Sequence, residues 1–215
     1  MKRPEERSRA PKKVPARARQ GDAYHHGDLR QALIEAARAL LEQGGLEALG
    51  LRAAARQAGV SQAAPYHHFA DKAALLAAVA AEGFRELTRA MVLRRDLETR
   101  PLPRLTATGI GYVAFATANP ALFRLMFGGP GLNLSSDPAL GPAAAAAYEV
   151  LREATLKVVA AAGRDPADAM LVSLSAWSLV HGLAKLIIEA EVDPLSYGTA
   201  TPEALARLVL GRMIL

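Results

Sequence analysis

The sequence has no cysteine, which excludes disulfides and thiolate metal sites. Aromatic residues are scarce, 5% of 215, although apolar residues make up 51% and alanine leads them. An alanine-rich core favours helix and lets helices approach closely. No stretch of useful length alternates with the two-residue period of a strand, and no segment repeats. Residues 1–20 lack the apolar segment of a secretory signal. The longest uncharged run, Leu105 to Phe123, is interrupted by Asn119-Pro120 and carries three threonines, so it reads as buried helix rather than a membrane span. Also lacking are a glycine-rich loop leading into a helix, a serine in an elbow motif and a nucleophile set beside a base. The expectation is a cytoplasmic, all-α protein without membrane segment, cofactor or enzymatic site.

Charge is unevenly placed. Eight Lys or Arg (Lys2, Arg3, Arg7, Arg9, Lys12, Lys13, Arg17 and Arg19) against Glu5 and Glu6 give residues 1–20 a balance of +6. The whole chain carries +5, which leaves −1 on residues 21–215. Pro4, Pro11 and Pro15 argue against helix in this stretch. A disordered basic arm over 1–22 fits two readings, a solvated tail that aids solubility and an arm that neutralises phosphates.

Helical periodicity organises the rest. Asp28 and Gln31 form a capping-box pattern before Leu29, Leu33, Ala37, Leu40 and Leu41, and Gly44-Gly45 closes that helix. A short helix comes next, over about Leu51–Ala58, and stops at Gly59. Ser61 then caps a third, over "QAAPYHHF", and a long helix runs from Asp71-Lys72 to about Arg94. Residues 95–103, charged and with two prolines, mark a boundary. Beyond them helices are expected over Leu105–Ala118, Ala121–Phe127, Pro142–Ala162, Asp165–Ala190 and from Thr201-Pro202 onward, with a loop from Gly128 to Pro138. The division is a helix-turn-helix domain over 23–90 and a larger helical domain over 91–215.

The stretch "GVSQAAPYHHF", Gly59 to Phe69, is too polar and ring-rich for a core segment. A short helix, a glycine turn and a second short helix with polar residues outward is the helix-turn-helix plan, whose second helix reads base edges in the major groove. Gln62 can pair with adenine, Ala63 can touch a thymine methyl, and Tyr66, Lys72 and the Ser61 hydroxyl suit phosphate oxygens. Pro65 is tolerated because it lies near the first helical turn.

"LGLRAAARQAGVSQAAPYHHFADKAALLAAV" resembles the DNA-binding domain of the TetR family of bacterial transcriptional regulators, through its "AGVS" turn, its Tyr-x-His-Phe ending and the Lys before an apolar helix. "YHHGDLRQALIEAA" and "AWSLVHGLAKL" further resemble a subgroup marked by Trp177, His181 and Gly182. The resemblance covers about 24–85 and, more loosely, 104–190. It implies base-facing roles for Gln62, Ala63 and His67, phosphate contacts for Tyr66 and Lys72, and a DNA contact for Arg52. Gly50 stands where the family usually carries Ser or Thr, so the second helix loses a cap and a phosphate-binding hydroxyl. The resemblance further implies a homodimer on double-stranded operator DNA, repression as the mode of action, and a small effector in the larger domain.

Four of five histidines lie in two adjacent pairs, His25-His26 and His67-His68. Neighbours on a helix point about 100° apart, so His67 and His68 do not suit one metal ion, and no metal is expected. Trp177 and His181, four residues apart, fit a satisfied core histidine under a tryptophan first, and the wall of a ligand cavity second. Tyr112, Phe115, Phe123, Met126 and Phe127 surround the Pro120 break as core or as pocket wall; family resemblance favours the pocket. With Trp177 and His181 they form the candidate lining. It has no acid and no placed Lys or Arg (Arg124 lies close in sequence), which predicts a largely apolar effector. Two other function classes stand beside this one: an all-α enzyme, which turnover of a small molecule would reveal, and a nonspecific DNA-binding scaffold, which sequence-specific binding would exclude.

Overall fold

The structure is a computed structural model and describes residues 26–133 and 137–213. The expected basic arm, and with it His25, lies outside the described residues. Eight α-helices and two 3-10 turns make up the described chain, with no strand among the described residues. Helix α1 is His26–Ala48, α2 Leu51–Gln57, α3 Lys72–Arg95, α4 Pro101–Ala118, α5 Pro120–Gly128, α6 Leu140–Ala161, α7 Asp168–Ile188 and α8 Pro202–Met213.

Local chemistry sets most ends. Helix α1 begins two residues before the Asp28 expected to cap it, and its regular part breaks at Gly45, whose φ of 66° only glycine adopts without strain. Asp71 caps α3 by accepting from the Ala74 amide at 2.8 Å. Thr201 does the same for Ala204 at 3.2 Å ahead of α8. Pro101 and Pro103 do not delay α4 to Leu105; they occupy its first turn, where the missing N–H groups have no intrahelical partner anyway. The chain bends by 106° between α4 and α5. The bend sits at Asn119, ahead of Pro120.

The core is continuous. Leu33, Ala37, Leu41, Leu49, Ala54, Phe69 and Leu75 close the N-terminal helices into one cluster with Val79, Phe84 and Leu87 of α3. Helix α3 then runs on unbroken through position 90 and packs along α4 and α6. Helices α3 and α4 touch at backbone distance. A side chain at Gly111 would put its Cβ 2.8 Å from the Ala90 carbonyl oxygen. Helix α4 is the axis of the larger unit, with α3, α6, α7 and α8 packed around it.

Helix α7 is the one described helix long and apolar enough to cross a membrane, yet only 22% of that window is buried within the chain. Met170, Leu171, Leu174 and Leu186 lie open on it, and Leu208 on α8 is open as well. Ser173 and Ala184, two small residues of this helix, are fully buried. Ser173 meets the Thr155 hydroxyl of α6 at 2.6 Å.

A polar link joins the N-terminal helices to the α4–α5 bend. Arg38 of α1 donates from Nη1 to the Glu86 carboxylate of α3 and from Nη2 to Asn119 Oδ1 at 2.8 Å. Its Nε donates to Glu42 at 3.1 Å. Asn119 in turn donates to the Phe115 carbonyl at 2.9 Å, so one side chain serves both the end of α4 and the contact with α1.

Candidate functional sites

The Gly59 turn has a φ of 70°, and the Val60 amide donates to the Ala55 carbonyl at 3.0 Å. The segment after this turn is shorter than the helix expected over "QAAPYHHF". A turn over Ser61–Ala64 leads into a 3-10 segment, Ala64–His67. Pro65 is the physical reason: it disfavours α geometry at Ala64 and has no N–H to donate. Pro65 itself is buried, as is Phe69, and the two pin the segment to the core.

Ser61, Gln62, Ala63, Tyr66 and His67 are exposed on this turn, and His68 is half-buried beside Phe69. Arg52, Arg56, Tyr66 and Lys72 border one shallow notch at the start of α2. Gly50 leaves that helix without a side-chain cap. Lys72 donates to the Leu46 carbonyl at 2.9 Å, tying the end of α1 to the start of α3. Arg56 is not among the DNA contacts expected from the sequence. It lies four residues after Arg52 on the same short helix and borders the same notch. Arg30 stacks over the Phe69 ring at 5.3 Å and adds another cation to this end of the molecule.

The larger unit contains a cavity of about 790 Å³ between α3, α4, α6 and α7. Of the seven residues expected to line a pocket, Tyr112, Phe127 and Trp177 border it. Phe115, Phe123 and Met126 are buried in the core and are not part of its wall. His181 also lies off the wall but is bonded to it: Tyr112 Oη and His181 Nδ1 are 2.8 Å apart. Phe123 packs edge-on against Tyr112, with centroids 5.9 Å apart, and Phe127 packs edge-on against His181 at 4.8 Å. Trp177 meets His181 at 5.8 Å.

Burial drives the Tyr112 phenol well above its usual range, with the Trp177 indole N–H pulling the other way. Burial, and then the Lys185 ammonium, hold His181 below its ordinary value. At neutral pH Tyr112 therefore keeps its proton, and the imidazole tautomer sets which of the two groups donates in their shared hydrogen bond. Most of the wall carries no mark in the sequence. Leu87 and Met91 come from α3, and Ala144, Ala147, Tyr148 and Leu151 from α6. Arg124 stays out of the cavity, because it bonds Glu189 at 3.0 Å and the Ile188 carbonyl at 3.1 Å. Arg164 sits on the rim, paired with Asp168 at 3.0 Å. Among the described residues no cluster of three His, Cys, Asp or Glu could hold a metal ion.

Comparison with known proteins bears on both sites. Residues 33–79 match the family described as bacterial regulatory proteins, tetR family, and residues 105–213 match the tetracyclin repressor-like C-terminal domain. No curated protein matches the sequence. Among solved structures, a protein of unknown function from Rhodococcus sp. RHA1 is 33% identical, with 88% of this chain and 95% of that one aligned and a TM-score of 0.73. The TetR family transcriptional regulator PfmR from Thermus thermophilus is 21% identical over 83% of this chain and 94% of its own, with a TM-score of 0.62. The regulator FadR from Bacillus subtilis, solved in complex with stearoyl-CoA, is 15% identical over 84% and 95%, with a TM-score of 0.63. The second family match alone takes in just over half of the sequence, and together with the helix-turn-helix end and the cavity-bearing domain behind it, it establishes that this chain belongs to the TetR family of ligand-responsive, DNA-binding transcriptional regulators.

Proposed function

We propose that the protein is a cytoplasmic repressor that binds a near-palindromic operator as a homodimer and is released by a small, largely apolar effector. The observation that carries this reading is the 790 Å³ apolar cavity beside α3, the helix that begins at the DNA-reading turn and ends in the larger unit. That volume lies within the range of about 300–1,000 Å³ usual for small-molecule sites. Trp177, His181 and Gly182 further support membership of the subgroup marked by those residues.

The division of labour follows exposure and chemistry. Gln62, Ala63 and His67 read base edges, while Arg52, Ser61, Tyr66 and Lys72, joined by Arg56, hold phosphates. The basic residues of 1–22 add phosphate contacts beside this domain. The unit over 23–90 does the reading and 91–215 holds effector and partner, with α3 shared between them. The open apolar faces of α7 and α8 pair with those of a second copy, so two recognition turns reach successive major grooves about 34–36 Å apart.

Tyr112, Phe127 and Trp177 touch the effector. His181 fixes the Tyr112 hydroxyl, and Phe115, Phe123 and Met126 back the wall. Filling the cavity favours a placement of α4 and α5 that the Arg38–Asn119 link passes to α1, and the DNA-competent spacing loses population.

Selection of bound DNA from a random pool supplies the operator. Compounds are then titrated while Trp177 fluorescence and release of labelled operator are followed together; Trp177 is the sole tryptophan and lies on the cavity wall. An apolar compound should quench Trp177 and release DNA over the same concentrations. Quenching with unchanged operator affinity, or release only by compounds without an apolar body, would overturn the reading.

A further inference from the structure

A second, more open cavity adjoins the first. Val158 and Ala162, at the end of α6, belong to the walls of both. Its character is different. Arg94 from the last turn of α3, Arg100 at the start of α4 and Arg207 from α8 all border it, with Glu98 as the one acid on the wall.

The neighbouring arginines are engaged. Arg95 pairs with Asp96 and Glu153, and Arg104 pairs with Asp96 and donates to the Glu98 carbonyl. The side chains of Arg94, Arg100 and Arg207 have no hydrogen bond or ion pair with any described residue, and neither does the Glu98 carboxylate. Three unpaired guanidinium groups against one carboxylate leave a concave surface with excess positive charge. Guanidinium forks match carboxylate and phosphate oxygens in geometry, and bonds to charged acceptors are the strong ones. The larger cavity next door offers little but carbon, so an anion alone gains nothing there; the second also has apolar walls, Leu102, Ile110 and Val158 among them, and differs by the arginines on its border.

We propose that the effector is an amphipathic anion, its apolar body in the larger cavity and its carboxylate or phosphate group held by Arg94, Arg100 and Arg207 past Val158. This rests on the larger cavity being the effector site. It adds a lever to that site, because the anion bridges α8 and the start of α4 to the far end of α3. The same α3 starts at Lys72 beside the recognition turn.

The test uses the full chain with four twelve-carbon probes below their micelle concentrations: dodecanoate, dodecyl phosphate, dodecanol and dodecyltrimethylammonium. Trp177 fluorescence reports occupancy of the larger cavity, and operator release is read in parallel. The two anions should bind about 10- to 100-fold more tightly than dodecanol, and the cation should bind more weakly than dodecanol. Which anion binds better identifies the head group. The double variant Arg94→Gln with Arg207→Gln, its fold checked by thermal melting, should bind dodecanoate no more tightly than dodecanol. The single Arg100→Gln should lose part of the preference. If dodecanol quenches Trp177 and releases DNA as well as either anion does, the arginine site is wrong and the apolar effector site stands. An anion preference that survives in the double variant overturns the arginine site too. If no probe quenches Trp177, the larger cavity is not the effector site and the proposal falls with it.

Discussion

Replacing Arg38 by Met tests whether the link between the DNA-reading helices and the α4–α5 bend carries information. Methionine keeps much of the apolar stem and removes the guanidinium, so the loss is polar rather than steric. Three contacts disappear, to Glu42, Glu86 and Asn119. The Glu42 contact is an exposed i,i+4 pair and is worth only a few tenths of a kcal/mol. The Glu86 and Asn119 contacts matter more. The Arg38 and Glu86 side chains are only 27% and 23% exposed, so Glu86 is left with its charge half-buried and uncompensated. A charge-assisted bond in a buried setting contributes about 1.5–3 kcal/mol, and an exposed pair about 0–1. The partial exposure places Arg38→Met between these, at about 1–2 kcal/mol of lost stability, or roughly 2–8 °C in melting temperature for a chain of this size. Protomer concentration must be held constant, since dimer stability depends on it. Urea unfolding of Arg38→Met, Asn119→Ala and the double variant gives a coupling energy, expected at about 1 kcal/mol. The effector-induced change in operator affinity should shrink in Arg38→Met while affinity without effector persists. Additivity within about 0.5 kcal/mol, together with an unchanged effector response, would refute the reasoning.

Three more outcomes are expected. Gln62→Ala and His67→Ala should relax base preference at one operator position each, at a cost of about 1–3 kcal/mol, whereas Tyr66→Phe and Lys72→Ala weaken all sequences alike; identical selected motifs for wild type and the first pair would cancel the base assignments. Leu174→Glu with Leu186→Glu, on the open face of α7, should give monomers by sedimentation and abolish operator binding; an intact dimer would place the interface elsewhere. His181 is held below its unfolded value of 6.5, so the unfolded chain binds the extra proton first. Stability should be full above about pH 6.5 and decline as pH falls below it, until the folded-state pKa is passed. His181→Gln should flatten that decline in urea midpoints.

Features set by one or two turns of chain are readable directly from residues. Asp71 and Thr201 are legible as helix starts, and each caps its helix through an amide three residues on. Gly59 is legible because a positive φ has few other solutions. The recognition segment is legible in place but not in form. Pro65 is tolerable in the first turn of a short α-helix, yet its missing donor and its constraint on Ala64 reduce the segment to a 3-10 turn. The start of α4 departs in the opposite direction: Pro101 and Pro103 look like a boundary and are a helix opening.

The two cavities show where local reading stops. Aromatic residues near a proline break point to a pocket, and Tyr112, Phe127 and Trp177 do border one. The empty volume itself lies where small residues such as Ala144, Ala147 and Ala176 face it. In sequence they are indistinguishable from the alanines that close the core, such as Ala54, Ala80 and Ala184. Whether an alanine makes a contact or leaves a void depends on the reach of the opposite helix, which no periodicity encodes. Charge obeys the same rule. Arg94 and Arg95 are neighbours in sequence, yet Arg95 pairs with acids on its own helix end and on α6, and Arg94 borders a cavity it shares with Arg207. A sequence-level count cancels Asp96 and Glu98 against any of these arginines. The fold assigns Asp96 to Arg95 and Arg104, and leaves Arg94, Arg100 and Arg207 on the border of the second cavity, which shares Val158 with the wall of the first.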